Sequence, residues 1–273
     1  MSFSLASPPV PPLTVQLPQS GICPVVASLP HSGLCVPAEI SQSLSPPYQD
    51  HLPNQDWHLD KLYDFLPDLG VTVLQANYSR YVVDLNRSLQ PPIFGNFWRS
   101  PIPEKTAFNH PLYQTPPTLQ ELEARIQQYY HPYHQKLQQL LDQMIQQFGQ
   151  VYLFDLHSFL GLIEDEVCLG NMGGQSCSSE WINQVEAAFK AQNYQVVQNK
   201  VFRGGYITRH YGQSHQVEAL QVEIRYPVYL DSAELDQAVV PSWQVPEFSQ
   251  AQARLRQIFS QIIADLGVDC SPT

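Results

Sequence analysis

The segment Val151-Tyr152-Leu153-Phe154-Asp155-Leu156-His157-Ser158 follows Gly149, which closes a long helical pattern. Its first four residues are apolar and β-rich, so the segment reads as a short buried strand that delivers Asp155 and His157 at its end. Upstream, Thr118 and Glu121 have the capping-box spacing, and Leu122, Ile126, Tyr130, Tyr133, Leu137 and Met144 recur at helical intervals. This pattern predicts a helix of roughly 30 residues, kinked near Pro132. Helix followed by buried strand is the repeating unit of an α/β sheet protein.

The same order recurs on both sides. Pro24 to Leu29 reads as a buried strand ending at Pro30-His31-Ser32-Gly33. The amphipathic stretch Trp57 to Leu69 is closed by Gly70 and leads into a strand over Val71 to Ala76. Toward the C-terminus the pattern predicts a helix over Ser179 to Gln192 and strands over Tyr194 to Asn199 and Ala219 to Ile224. A final helix runs over Ser249 to Leu266. The expected fold is therefore α/β, a single-domain three-layer sandwich with a central mixed sheet, ligands collecting outside the strand ends. Of 24 prolines, 19 precede Thr118, so short strands joined by irregular loops are expected there. Residues 1–20, rich in proline, are expected to form an extended N-terminal arm or edge strand, and residues 21–273 the domain.

With 273 residues the chain is long enough for a large core. A net charge of −11 repels phosphate backbones and anionic lipid, so neither nucleic acid nor a membrane is an expected partner. No apolar run approaches the ~20 residues needed to cross a bilayer. The five cysteines form no CxxC and the N-terminus lacks a basic region followed by an apolar one, which together predict a cytoplasmic protein with free, mostly buried thiols. Oligomeric state is not legible.

A hydrolytic zinc site needs about three imidazole or carboxylate ligands, an open position, and a separate carboxylate to move protons. His31 and His157, both at strand ends, supply two ligands, and Asp56, at a loop-to-helix junction, is the nearest carboxylate for the third. Glu223 on the strand over Ala219 to Ile224 is either the proton carrier or a strand carboxylate paired with Arg225. Asp155, two residues before His157, either faces the opposite side of the strand or orients a ligand imidazole. Arginine is scarce but clusters at Arg80 and Arg87, at Arg203 and at Arg209, a pattern suited to an acidic substrate. Arg80 or Arg87 could instead pair with Asp84. No Walker A, dinucleotide fingerprint or GxSxG elbow is present.

The stretches Pro30-His31-Ser32-Gly33, Gln55 to Asp64, Ser79 to Arg87 (SRYVVDLNR), Asp155 to Ser158, Gly204 to Gly212 (GGYITRHYG) and Gln221-Val222-Glu223 resemble N-formylglutamate amidohydrolases in order and spacing. The resemblance implies a zinc-carboxypeptidase-like fold and site: one Zn2+ per chain on His31, Asp56 and His157, with Glu223 as the catalytic carboxylate. It also implies that Asn86 and Arg87 hold the substrate α-carboxylate, with Arg80 and Arg209 for the remaining anionic groups. The implied substrate is a small N-acyl acidic amino acid, N-formyl-L-glutamate, cleaved to formate and glutamate in histidine degradation. Family members usually carry an aspartate where this chain has Asn54, and the loop over 88–114 departs from the family pattern and is expected to shape the substrate pocket.

Overall fold

Seven strands form one mixed sheet in the order β1-β3-β2-β6-β9-β7-β8. They are β1 (Leu13–Gln16), β2 (Val25–Leu29), β3 (Thr72–Ala76), β6 (Val151–Phe159), β7 (Val167–Gly170), β8 (Val196–Gln198) and β9 (Val217–Arg225). A two-residue ladder, β4 (Phe94–Gly95) with β5 (Ile102–Pro103), stands apart in the loop over 88–114. The helices are α1 (Ala38–Ser43), α2 (Leu59–Leu62), α3 (Leu119–Arg125), α4 (His131–Phe148), α5 (Ser179–Ala191), α6 (Tyr206–Tyr211) and α7 (Pro246–Asp265). This computed structural model describes residues 10–19, 21–161, 163–235 and 239–267.

Strands β3, β2, β6 and β9 run parallel, while β1 on β3 and β7 on β9 are antiparallel. Residues alternate in direction along a strand, and the two faces of the sheet carry separate cores. Val25, Ala27, Phe154, Leu156, Leu220 and Val222 pack toward α2, α5 and α7. Val26, Leu74, Val151, Leu153, Val217 and Ala219 pack toward α3, α4 and α6. Helices on both faces of a central mixed sheet make the three layers that the helix-strand pattern implies.

Several expectations are refined. The capping box at Thr118 and Glu121 is fully formed, and the disturbance expected near Pro132 takes the form of one π turn, Ile126–Tyr130, directly before α4. Pro132 lacks an N–H and its ring crowds the carbonyl four residues back, and a widened turn accommodates both. The stretch from Trp57 to Leu69 holds only α2 and a 3-10 turn over Leu66–Leu69, with Pro67 in the latter; Gly70 closes it in the left-handed region. Strand β6 runs on through Phe159, because β9 pairs with it over nine residues, so His157 lies inside the strand rather than past its end. Within the N-terminal arm, Leu13–Gln16 is an edge strand of the sheet, and residues 1–9 and 20 lie outside the described residues. Cys168 and Cys177 are buried thiols and Cys35 an exposed one, whereas Cys23 is disulfide-bonded, which corrects the reading of all cysteines as free. Among the described residues no helix is long and apolar enough to cross a membrane.

Candidate metal centre

The centre forms where one face of the sheet changes character. On β6, Val151 and Leu153 are followed on the same face by Asp155 and His157; on β9, Val217 and Ala219 are followed by Gln221 and Glu223. The apolar halves lie under the helical layer, and His157, Gln221 and Glu223 of the polar halves line a cavity of about 490 Å³ at the C-terminal end of the parallel strands, with Asp155 buried behind them. His157 and Glu223 are direct register partners. Residues two apart in a strand share a face, so Asp155 does not point away from His157 as the opposite-face reading has it. His31 arrives two residues past β2, and Asp56 comes from the loop before α2.

All three ligand candidates are buried, at 2%, 1% and 2% exposure for His31, Asp56 and His157, and one nitrogen or oxygen from each lies within 4.8 Å of the others. His31 Nδ1 is 3.6 Å from Asp56 Oδ1, and His157 Nδ1 is 3.1 Å from Asp56 Oδ2. The far nitrogen of each ring meets a second carboxylate: His31 Nε2 lies 2.7 Å from Asp84 Oδ1 and His157 Nε2 lies 3.1 Å from Asp155 Oδ2. Donation from His31 Nε2 to Asp84 leaves an Nδ1 lone pair on that ring facing Asp56, whereas His157 Nε2 lies within reach of both the Asp155 carboxylate and, at 2.9 Å, the amide nitrogen of Asn86. His31 Nδ1 is buried without any hydrogen-bond partner. Two imidazoles and a carboxylate with one donor atom each turned toward one point form an N, N, O set that suits zinc once the rings are deprotonated.

The electrostatics agree. Burial alone would raise the Asp56 carboxyl, but His31 and His157 outweigh it and hold it well below the usual carboxylate range. Burial works against a charged His157, yet Asp155 and Asp56 push its affinity for a proton well above the ordinary value. Glu223 behaves oppositely: burial, reinforced by Asp56 and Asp155, pushes its carboxyl up to about 8. Gln221 Nε2 donates to Glu223 Oε1 at 2.7 Å, and the alternative pairing with Arg225 is absent from the ion pairs of the described residues. Glu223 lines the cavity beside His31, Asp56 and His157.

The cationic residues divide. Arg80 and Arg87 line the cavity, but Arg80 is tied to Asp84 at 2.6 Å and to Asp56 at 3.5 Å, so its structural pairing is real. Arg87 Nη1 donates to the Asn86 carbonyl, its Nη2 lies 3.9 Å from Asp84 Oδ2, and its Nε is buried without a hydrogen-bond partner. Arg203 lines the cavity, whereas Arg209 does not: α6 turns Ile207, Thr208 and Tyr211 inward and leaves Arg209 exposed. Asn86 is a wall residue with its amide already engaged, its nitrogen 2.9 Å from His157 Nε2 and 3.0 Å from Asp155 Oδ2 and its oxygen accepting from the Ile207 N–H at 2.8 Å. It therefore braces the centre instead of offering free donors. The sequence points to Asp84 only as an arginine partner; its bond to His31 joins residues 53 positions apart, which no local pattern reveals.

Comparison with known proteins is specific. The sequence profile of the N-formylglutamate amidohydrolase family matches residues 23–230, a span that holds every residue of the centre. The chain belongs to that family. It is thus an amidohydrolase. N-formylglutamate deformylase of Pseudomonas putida is 35% identical over 196 residues, covering 67% of this chain and 73% of its own. The Pseudomonas aeruginosa deformylase is 37% identical over 193 residues, covering 66% and 72%. The crystal structure of N-formylglutamate amidohydrolase from Ralstonia eutropha JMP134 superposes with a TM-score of 0.76 at 26% identity, covering 95% of this chain and 100% of that one.

Proposed function

We propose that this family member hydrolyses N-formyl-L-glutamate to formate and L-glutamate with one zinc ion per chain held by His31, Asp56 and His157. The observation that carries the reading is the convergence of two buried imidazoles and a buried carboxylate at one point beside Glu223, in a cavity edged with arginine. The deformylase names of the Pseudomonas relatives support formyl as the acyl group.

When bound, the ion supplies Lewis acidity toward water and toward the amide carbonyl. The protein does the rest. Asp84 and Asp155 hold the orientation of the two rings, with their Nδ1 atoms aimed at the ion's position. Glu223 removes a proton from the water that attacks the formyl carbon, and returns it to the amide nitrogen as the C–N bond breaks, so formate and the free amine leave. A buried carboxyl with raised proton affinity suits both transfers. Arg87 and Arg203 hold the two carboxylates of the substrate. We place the reaction in the cytoplasm as a late step of histidine degradation, a reading that rests on the family resemblance.

Formate release from N-formyl-L-glutamate by the zinc-replete protein tests the proposal. Turnover that falls about 10²-fold or more in Glu223→Gln, and that a chelator abolishes, is the expected result. Unchanged release in either condition contradicts it.

A further inference from the structure

We infer that Arg203 is the specificity-determining residue for the side-chain carboxylate of the substrate, and that it makes the enzyme select N-formyl derivatives of acidic over neutral amino acids. This inference rests on the proposed amide hydrolysis and assigns the two substrate carboxylates to separate arginines. Three arginines line the cavity, Arg80, Arg87 and Arg203. Two of them already face acidic side chains: Arg80 Nη2 lies 2.6 Å and Arg87 Nη2 3.9 Å from the same Asp84 oxygen, and Arg80 Nη1 lies 3.5 Å from Asp56. Arg203 is different. Among the described residues its guanidinium makes no ion pair and no hydrogen bond, whereas Lys200 in the same loop is taken by Asp165 at 2.7 Å. It is the cavity cation whose charge is left for a ligand.

An exposed arginine by itself says little, because such side chains are ordinarily well hydrated. Arg203 is instead built into a braced loop. The Met172 N–H donates to the Arg203 carbonyl at 2.6 Å, and Asn199 Nδ2 donates to Asn171 Oδ1 at 2.9 Å, so the segment over 199–205 is tied to the turn after β7. Glycines let the two segments touch. A Cβ at Gly170 would stand 2.7 Å from the Arg203 carbonyl carbon, and one at Gly173 would stand 2.8 Å from Arg203 Nη2. The guanidinium therefore lies against the Gly173 backbone, its place set by contacts within the protein. A planar fork held in this way loses less freedom on meeting a carboxylate than one on a free stem.

The arrangement also decides which carboxylate goes where. In an N-formyl amino acid the α-carboxylate sits beside the scissile amide, and the side-chain carboxylate lies at the far end of the molecule. Arg87 stays close to the ligand cluster: it adjoins Asn86, whose amide nitrogen reaches Asp155 and His157, and it shares Asp84 with His31. Among the described residues Arg203 shares no hydrogen bond or ion pair with that cluster and is exposed. Its loop nevertheless returns to the cluster two residues later, where Gly205 packs against the Asn86 amide, so the Arg203 backbone stands within about 7 Å of that brace. Arg87 thus meets the near carboxylate and Arg203 the far one.

The test is steady-state kinetics of the zinc-replete full chain on N-formyl-L-glutamate, on N-formyl-L-glutamine, whose side chain is neutral, and on N-formyl-L-isoglutamine, whose α-carboxylate is replaced by an amide. In the wild type, kcat/KM for the glutamate compound should exceed that for the glutamine compound about 10- to 100-fold, the worth of a charge-assisted hydrogen-bonded pair. In Arg203→Met that ratio should fall toward one through a higher KM for the glutamate compound, while the glutamate-to-isoglutamine ratio keeps its wild-type value. A glutamate-to-glutamine ratio near one in the wild type, a ratio unmoved in Arg203→Met, or an equal loss on all three compounds overturns the inference and leaves the hydrolase intact. Collapse of the isoglutamine ratio instead puts Arg203 on the α-carboxylate and also overturns it. If the wild type cleaves none of the three, the proposed reaction itself fails. Calorimetric binding of N-formyl-L-glutamate then decides the role of Arg203, supported by a loss of about tenfold or more in Arg203→Met that N-formyl-L-glutamine does not show, and overturned by binding that is absent or unchanged.

Discussion

Asp84 Oδ1 lies 2.7 Å from His31 Nε2, and the opposite oxygen of the same carboxylate takes Arg80 Nη2 at 2.6 Å. Burial would raise this carboxyl, but Arg80, Arg87 and His31 outweigh it and keep it charged. One buried side chain therefore meets both a candidate ligand imidazole and a cavity arginine. Replacing it with asparagine keeps the shape and removes the charge. Zinc affinity of Asp84→Asn, measured by competition with a chromogenic chelator, should fall about 10- to 100-fold. Affinity equal to wild type would mean that Asp84 does not orient His31.

The brace at Asn86 depends on a glycine. A Cβ at Gly205 would collide with the Asn86 amide, although the backbone there, with φ −93°, accepts any L residue. Gly205→Ala thus tests the contact without backbone strain. Forcing the amide off Asp155 should cost about 1–3 kcal/mol of stability by chemical denaturation, and turnover should fall further than stability, because Asp155 then loses a bond that holds it against His157. A variant with wild-type stability and turnover would show that Asn86 is free to move.

His134 gives a pH signature outside the centre. Burial pulls its imidazole down to about 4 from 6.5, although its bond to the Leu85 carbonyl opposes the shift. The ring is neutral in the folded state, accepting from Tyr211 OH at Nδ1 and donating to Leu85 at Nε2. Between pH 6.5 and 4 the unfolded chain binds a proton that the folded chain does not. The stabilisation is therefore complete above 6.5 and is lost as pH falls toward 4, by up to about 3 kcal/mol. Urea denaturation across this window should show a shallower pH dependence in His134→Gln than in wild type; identical slopes would contradict the assignment.

Much of this is legible because strands announce themselves by period. The odd positions of β6 and β9 switch from Val151, Leu153, Val217 and Ala219 to Asp155, His157, Gln221 and Glu223, so the sequence carries both the buried sheet and the place where it opens to a ligand. His31 and Asp56 are readable from their positions at a strand end and a helix entry. Asp84, Asn86 and Arg203 acquire their places only when distant loops meet, and Arg209 falls outside the cavity because its direction depends on the rotation of a single short helix. The π turn before Pro132 is hidden for a related reason: proline signals a disturbance of the helix but not the form it takes.

Phe259 ties the C-terminal helix to the sheet, fully buried against Phe154 at 5.1 Å and Tyr63 at 5.9 Å between ring centroids. Phe259→Ala should destabilise the fold by about 3–5 kcal/mol, read from the denaturation midpoint. Because α7 packs on the face away from the ligand cluster, the folded fraction should keep its metal stoichiometry.

The convergence of His31, Asp56 and His157 is tested most directly by counting metal. Elemental analysis of the purified, zinc-equilibrated chain should give one zinc per chain, and His31→Ala, Asp56→Ala and His157→Ala, each shown folded by circular dichroism, should give close to none. A full equivalent retained by all three variants, or no zinc on a wild-type chain that still releases formate, would contradict it.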